Sequence, residues 1–415
     1  MTTATGNTSN NNSIRAIDKE SVHRICSGQV VLDMATAVKE LLENSLDAGS
    51  TSIVIKFKQS GLDHITVTDN GCGITDANLV TLALKHYTSK LSSFNDLAQV
   101  RSFGFRGEAL SSLCALANLT VTTSTGTSPT GVLVEYTSDG VIKSKTPTPM
   151  TKGSTVKICN LFEGMPVRRS EFVKNIKREY VKCIGLIQAY ALIVPNVRIS
   201  CVSQTDKKPP VTQIATSGNA SIRQNIINVF GPKAMMDVTD FELLLVEGKS
   251  GSISGSSTHD QGANSTADNE DEDDDEQNQK GDIVLTGYIS SPAFGKGRSS
   301  ADRQYIFING RPCIVRVVNE VYHSFNTNQS PFLVANLILP TSYYDVNVSP
   351  DKRTIFLHNE RMIVEELRVK LTELFEPRYP IRRKDIFIYT RSAVVALSFT
   401  LGHEVHRRAN IHNCV

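Results

Sequence analysis

The sequence lacks the features of secreted, membrane-spanning and P-loop proteins. Its eight cysteines are scattered along 415 residues without a CxxC pair, which favours a reducing intracellular compartment over a disulfide framework. No apolar run approaches the length of a membrane span, so we expect no membrane partner. The N-terminus (MTTATGNTSNNN) lacks the charged and apolar regions of a signal peptide. No GxxxxGK[ST] segment occurs, which excludes the P-loop architecture.

The near-neutral charge of the chain hides an uneven distribution. The formal net charge of +2 comes from 44 basic and 42 acidic residues. Residues 250–281 hold nine acidic residues and one lysine, which leaves 43 basic against 33 acidic residues elsewhere. A basic body of this kind can attract polyanions, although a charge excess of this size is common among proteins. The acidic segment has too few apolar residues to offset its chain entropy, so we predict a solvated insertion there.

The length exceeds the size at which one hydrophobic core stops growing, so the sequence predicts two domains. We place a disordered N-terminus at 1–13, a first domain at 14–210, a second at 211–375 and a divergent tail at 376–415. Apolar periodicity predicts the secondary structure. The predicted helices lie near 18–28, 36–46, 108–117, 168–192, 221–230 and 359–375, and the predicted strands near 53–57, 65–69, 119–123, 131–136, 155–160, 283–290, 303–308 and 332–339.

The segment VKELLENSLDAG at 38–49 carries a carboxylate and an amide at helical spacing. Glu40 and Asn44 are four residues apart, so a helix projects both from one face. Glu40 could take a proton from a water that attacks a terminal phosphate, and Asn44 could offer an amide oxygen to Mg²⁺. The alternative is an ordinary solvated helix face that includes Glu40, Glu43 and Asp47.

Two glycine-rich segments suggest contacts to a nucleotide. Asp69-Asn70-Gly71-Cys72-Gly73 follows a predicted strand, where the carboxylate can accept a hydrogen bond from the exocyclic amine of adenine. Its glycines let the backbone approach a base, although this segment taken alone favours a plain Asn-Gly hairpin turn. The second segment, GFRGEAL at 104–110, joins a loop to a helix N-terminus, which favours phosphate. Such loops also occur in proteins without ligands.

A basic helix near 168–182 offers a possible DNA contact. Its apolar residues Phe172, Ile176 and Tyr180 require part of this helix to pack against the protein. The charged residues are Arg168, Arg169, Lys174, Lys177, Arg178 and Lys182.

Taken together, these motifs resemble the MutL/PMS mismatch-repair ATPases of the GHKL superfamily, and most closely the eukaryotic PMS type. The resemblance spans about 14–375. It implies an α+β chain in which a GHKL (Bergerat) ATPase α/β sandwich precedes a second α/β domain of the ribosomal-protein-S-five-like type. The matching segments are KELLENSLDAG (39–49), DNGCGI (69–74), TSKL (88–91), GFRGEAL (104–110), GSTVKICNLF (153–162) and DVNVSPDK (345–352).

The resemblance also implies roles for individual residues. Glu40 is then the catalytic base, Asn44 the Mg²⁺ ligand and Asp69 the adenine reader, while Lys352 reaches the terminal phosphate from the second domain. Gly71 and Gly73 shape the adenine pocket, and Thr155 backs it. The implied lid and phosphate-loop contacts are Thr88, Ser89, Lys90, Arg106, Gly107, Glu108, Ala109 and Leu110.

At the level of function, the resemblance implies ATP and Mg²⁺ as cofactors, with ATP-driven lid closure and pairing of two N-terminal domains on DNA. The implied partners are double-stranded mismatched DNA, a heterodimer partner of the MutL-homologue type and MutS-type mismatch-recognition proteins, in the nucleus. Family members continue into a dimerisation domain with an endonuclease site, and nothing here resembles its metal-ligand motif. The tail departs from the family pattern, so we expect a truncated or misread gene model. A non-hydrolysing nucleotide-dependent scaffold and another GHKL ATPase are the alternatives.

Overall fold

The structure, a computed structural model, describes residues 16–90, 102–104, 107–246, 281–313, 317–345 and 356–376. The predicted disordered N-terminus, the acidic insertion up to residue 280 and the tail after residue 376 lie outside the described residues. Two of the predicted site residues, Arg106 and Lys352, lie outside them as well. None of the described helices is long and apolar enough to cross a membrane.

The first part of the chain forms a mixed sheet with helices packed against it. Its helices are α1 (Lys19–Val30), α2 (Met34–Asp47), α3 (Asp76–Leu79), α4 (Ala109–Leu116), α5 (Pro166–Lys174) and α6 (Ile176–Ile193). Its strands are β1 (Ser52–Lys58), β2 (His64–Asp69), β3 (Asn118–Ser124), β4 (Thr130–Tyr136), β5 (Ile142–Pro149), β6 (Gly153–Cys159), β7 (Arg198–Thr205) and β8 (Lys208–Ala215). The strand order is β5-β4-β3-β6-β2-β1-β7-β8, with β1 and β7 parallel.

Helix α2 lies against this sheet because its sequence supplies both a cap and an apolar face. Asp33 is the N-cap, and its carboxylate accepts a hydrogen bond from the Thr36 N–H at 2.7 Å. Val38, Leu41 and Leu42 are fully buried. Strands β1 and β2 pair in antiparallel register, and apolar side chains alternate along both strands, as predicted. Helix α2 and the end of β2 therefore meet at one edge of the core.

Several predicted boundaries differ from the structure. The helix predicted over 168–192 is two helices, which meet at Asn175. Helix α1 does not stop at Gly28 but continues to Val30. The glycine instead makes room for the Arg168 guanidinium, which donates to the Gly28 carbonyl oxygen at 2.9 Å and would lie 3.1 Å from a Cβ there. The predicted domain boundary at 210 falls inside β8, which pairs with β7. Strand β8 is an edge strand, where the missing N–H of proline leaves no hydrogen bond of the sheet unmade. The first part of the chain therefore extends at least to the end of this strand, at Ala215.

The second part of the chain contains a five-stranded sheet. The elements are α7 (Ile222–Phe230), β9 (Val238–Val246), β10 (Ile283–Ser290), β11 (Gln304–Ile308), β12 (Arg311–Cys313), α8 (Val317–Phe325), β13 (Leu333–Ile338), β14 (Tyr344–Asp345), β15 (Phe356–Leu357) and α9 (Glu360–Phe375). The strand order is β12-β11-β13-β10-β9, and β14 pairs separately with β15. Several elements were not predicted. They are β9, β12, β14, β15 and α8 in this part of the chain, and α3, β5, β7 and β8 in the first part.

An apolar cluster joins the two parts. Leu192 on α6, Ile226 on α7 and Phe307 on β11 are all fully buried and belong to the same cluster. Across the same boundary, the Tyr305 hydroxyl donates a hydrogen bond to the Gln188 side-chain oxygen at 3.0 Å. The second sheet is therefore packed directly against the end of α6.

Candidate functional site

A cavity of about 430 Å³ opens between α2, the end of β2, residues 87–90 and the start of α4. The structure brings most of the predicted site residues together on its wall. Gly71 and Thr155 do not line it, and Arg106 and Lys352 are outside the described residues. The predicted residues that line the cavity are Glu40, Asn44, Asp69, Gly73, Thr88, Ser89, Lys90, Gly107, Glu108, Ala109 and Leu110.

The charged face of α2 is buried, so the solvated-face interpretation of this helix is wrong. Glu40 is 8% exposed, Glu43 1% and Lys39 3%. The Lys39 ammonium donates to Glu43 Oε2 at 2.8 Å and to Glu40 Oε1 at 3.3 Å. The Tyr190 hydroxyl on α6 donates to Glu43 Oε1 at 2.5 Å. The Glu40 carboxylate at the cavity wall is thus held by a buried ionic network.

The protonation states in this network follow from its geometry. Burial alone lowers the pKa of Lys39, but the nearby carboxylates of Glu43 and Glu40 outweigh burial and hold it above its usual value. Burial, reinforced by the negative charge of Glu43, raises the pKa of Tyr190 well above its usual value. At neutral pH Lys39 is therefore a cation and Tyr190 a neutral hydrogen-bond donor.

Asp69 is fixed at the end of β2 by one donor to each carboxylate oxygen. The Ser45 hydroxyl donates to Oδ2 at 3.0 Å, and the Gly71 N–H donates to Oδ1 at 2.9 Å. Since a carboxylate can accept about four hydrogen bonds, it keeps acceptor capacity for a group in the cavity. Gly71 supports this carboxylate from behind, and a Cβ there would lie 2.8 Å from the Ala48 Cβ.

Gly73 is required by its backbone conformation. Its φ of +74° lies in the left-handed region, and a Cβ would lie 2.2 Å from the carbonyl oxygen of Ser124. The DNGCG segment is therefore more than a generic hairpin turn, because β2 is followed by a chain that packs closely against the end of β3.

The structure does not place Thr155 at the cavity. Its hydroxyl donates to the Thr68 hydroxyl at 3.1 Å, whereas the preceding residue, Ser154, pairs with Asp69 in the sheet and lines the cavity. Successive side chains of a strand point to opposite faces, so a one-residue difference reverses the direction. The register of β6 against β2 would have identified Ser154.

Asp47, which the alternative interpretation of α2 placed on a solvated face, connects α2 to two loops of the site. Its side chain is 7% exposed and forms an ion pair with the Lys90 ammonium at 2.5 Å. It also accepts hydrogen bonds from the N–H groups of Phe103 and Gly104, both at 2.9 Å. Lys90 donates in addition to Asn44 Oδ1 at 3.1 Å. The Asn44 and Asp47 oxygens that accept hydrogen bonds from this ammonium are hard oxygen ligands of the kind that Mg²⁺ prefers.

In the basic segment predicted to contact DNA, half of the basic side chains make contacts within the protein itself. Arg168 stacks over the Phe162 ring at 4.9 Å, and Arg169 donates to the Leu161 carbonyl oxygen at 2.9 Å. Lys182 forms an ion pair with Asp33. Any polyanion contact on this surface would therefore rest on the exposed residues Lys174, Lys177 and Arg178.

Comparisons with known proteins agree with this architecture. Residues 32–157 match the family described as "Histidine kinase-, DNA gyrase B-, and HSP90-like ATPase", and residues 263–376 match "DNA mismatch repair protein, C-terminal domain". A solved structure described as the N-terminal domain of a DNA repair protein is 40% identical, with a TM-score of 0.71, and the match covers 86% of this chain and 98% of that one. The chain belongs to the MutL/PMS family of DNA mismatch-repair proteins.

Curated members of the MutL/PMS family show the same relationship. The chain is 44% identical to human "Mismatch repair endonuclease PMS2" over 369 residues, which are 88% of this chain and 41% of that protein. It is 43% identical to "DNA mismatch repair protein PMS1" of Saccharomyces cerevisiae over 367 residues, 87% of this chain and 40% of that protein. The chain thus spans about two fifths of these relatives. The family prediction and the GHKL ATPase-like fold prediction are confirmed.

Proposed function

We propose that this chain binds and hydrolyses ATP with Mg²⁺ as the N-terminal part of a MutL/PMS-type mismatch-repair protein. The observation that carries the proposal is the convergence of Glu40, Asn44 and Asp69 on one cavity wall. Binding and hydrolysis of ATP together call for three chemically distinct groups, and these residues supply one each. They are a base for water, an oxygen ligand for the metal and an acceptor for the adenine amine.

Each part of the cavity has a role in this proposal. Asp69 accepts the adenine amine, and Gly73 lets the backbone approach the base. Helix α4 directs its first N–H groups toward the phosphates, and its N-cap residue, Glu108, makes no side-chain capping bond. Asn44 would hold Mg²⁺, which would supply positive charge to offset that of the phosphates. Glu40, held by Lys39, takes the proton of the attacking water.

The proposed lid closure involves three consecutive residues that line the cavity. Thr88, Ser89 and Lys90 line the cavity mouth and would close over bound ATP as a lid. We also propose that Lys352 reaches the terminal phosphate, and that closure favours pairing of two N-terminal domains on DNA. The proposed partners are mismatched double-stranded DNA, a second MutL-homologue subunit and MutS-type proteins. The relatives' role in mismatch repair supports a nuclear location.

Substitution of Glu40 and Asp69 separates hydrolysis from binding. We expect Glu40→Ala to retain ATP binding and to lose turnover by about 10²- to 10⁴-fold, the usual contribution of a positioned base. Asp69→Asn should lose binding itself, because the amide presents N–H groups where an acceptor is required. Binding is measured by calorimetry with Mg²⁺, and turnover by phosphate release.

Glu20→Ala is the matched control, because it removes a solvent-exposed glutamate whose partner is Arg24 on the same helix. It should leave both binding and turnover unchanged. Retained ATP affinity in Asp69→Asn would contradict the adenine assignment. If wild-type protein binds ATP but releases phosphate no faster than Glu40→Ala, the scaffold alternative replaces the hydrolase.

A further inference from the structure

Arg311, a buried residue of the second sheet, contacts the segment 102–104 that forms part of the wall of the proposed nucleotide cavity. The side chain projects from the start of β12 and is 7% exposed. Its Nη2 donates to the carbonyl oxygen of Ser102 at 2.6 Å, and its Nη1 donates to that of Phe103 at 3.1 Å. The guanidinium also lies 5.2 Å from the centre of the Phe103 ring. The Arg311 side chain therefore contacts both the backbone and the aromatic ring of the segment 102–104.

The same segment is held from the opposite side by the helix that carries the candidate base. Asp47 on α2 accepts the N–H groups of Phe103 and Gly104. The Ser102 hydroxyl closes the turn by donating to the Gly104 carbonyl oxygen at 2.8 Å. Because Gly104 lines the cavity, the position of residues 102–104 defines part of the cavity wall.

Arg311 is itself fixed within the second sheet. The preceding turn has positive φ at Asn309 and Gly310. The Asn309 side chain exchanges two hydrogen bonds with the backbone of Leu339, at 2.8 and 3.1 Å, and the Gly310 N–H donates to Asn336 at 3.0 Å. A displacement of this sheet would therefore move the guanidinium and the backbone bound to it.

We infer that Arg311 is a positioning residue for the nucleotide site, which couples the placement of the second sheet to the wall formed by residues 102–104. This inference rests on the proposed ATP binding. Arginine is suited to the task because its rigid guanidinium can bond two carbonyl oxygens and stack on an aromatic ring together. A lysine retains the charge but has a compact ammonium without a planar face.

Phe103 extends the coupling toward the candidate base. Its ring makes an edge contact with Tyr190, with ring centres 6.0 Å apart, and Tyr190 bonds Glu43 in the network that holds Glu40. Loss of Arg311 should therefore affect turnover as well as affinity. A residue that only stabilised the fold would lower the melting temperature without this pattern.

The test compares Arg311→Ala and Arg311→Lys with Arg298→Ala. Arg298 belongs to the same part of the chain, but its guanidinium pairs with Asp302 away from the cavity. We expect Arg311→Ala to weaken the binding of a non-hydrolysable ATP analogue with Mg²⁺ by about tenfold or more, within the usual range for coupled sites. Arg311→Lys should recover part of this loss, and Arg298→Ala should match the wild type within about twofold.

Two further measurements test whether the effect of Arg311 passes through residues 102–104. Amide hydrogen exchange at Phe103 and Gly104 should become faster in nucleotide-free Arg311→Lys, because the segment loses one of its two supports. In a double-mutant cycle with Asp47→Asn, the two losses of affinity should be less than additive, since both act through residues 102–104. The exchange measurement needs no nucleotide and thus distinguishes this inference from the proposed function.

Unchanged exchange at Phe103 and Gly104, or wild-type affinity in folded Arg311→Lys and Arg311→Ala, would overturn the inference while ATP binding by the wild type stands. Strictly additive effects in the cycle would overturn it as well. Wild-type protein that fails to bind ATP would instead remove the proposed function, and this inference with it.

Discussion

Replacing Lys39 with methionine tests the buried network beneath the candidate base. The substitution keeps an unbranched side chain of similar size and removes the ammonium from between Glu40 and Glu43. Both carboxylates are almost fully buried, and both lose their shared cation. The pKa of Lys39 is raised, so the charge that is removed is present throughout the neutral range.

The cost follows from removing the Lys39 ammonium that both buried carboxylates contact. Breaking a buried ion pair by removing one partner typically costs about 3–5 kcal/mol. A domain of ordinary stability has about 5–15 kcal/mol in total, so Lys39→Met should remain folded with a much reduced margin. Adding Glu43→Gln should restore part of the loss, because one negative charge disappears while the amide oxygen can still accept from Tyr190.

Urea unfolding at pH 7 measures this difference directly from the midpoint and slope. Lys182→Met is the matched control, since it removes the same kind of side chain from an ion pair with Asp33 in which the lysine is exposed. That change should cost less than about 1 kcal/mol. Equal losses for Lys39→Met and Lys182→Met, or no recovery on adding Glu43→Gln, would refute the reasoning.

Three further predictions concern the cavity wall. Ser154→Val should weaken ATP binding several-fold, whereas Thr155→Val, the same kind of change on the other face of the strand, should not; calorimetry decides between the two positions. Gly73→Ala should lower the melting temperature and abolish ATP binding, because its left-handed backbone and the adjacent carbonyl oxygen leave no room for a Cβ. Lys90→Met should lower the Mg²⁺ concentration that half-saturates ATP binding, since the ammonium no longer competes for Asn44 Oδ1. An unchanged Mg²⁺ requirement would contradict this competition.

The elements with a regular apolar pattern could be predicted from the sequence. Helix α2 has a polar cap and an apolar face, and β1 and β2 alternate, so local physics places Glu40 and Asn44 on one helix face and Asp69 at the end of a strand. The role of all three in one nucleotide site was implied by the family resemblance. The break at Asn175 and the edge strand β8 could not be predicted from the apolar pattern. Tertiary packing decides whether a polar residue interrupts a helix and whether prolines fall where no hydrogen bond is needed.

The supporting residues could not be found in this way because their partners are distant in the chain. Tyr190 meets Glu43, and Arg311 meets residues 102–104, only after the sheets have assembled. Asp47 has the sequence appearance of a solvated carboxylate, and its burial depends on Phe103 and Gly104 folding over it. Local periodicity carries no information about such contacts.

The most direct test of the site is calorimetric titration of the purified chain with ATP in the presence and absence of Mg²⁺. The arrangement of Asn44 and Asp69 predicts saturable binding with one nucleotide per chain, strengthened by Mg²⁺ and lost in Asp69→Asn. Absence of any heat of binding to the folded wild-type protein, confirmed by an unchanged melting temperature with ATP and Mg²⁺, would contradict it.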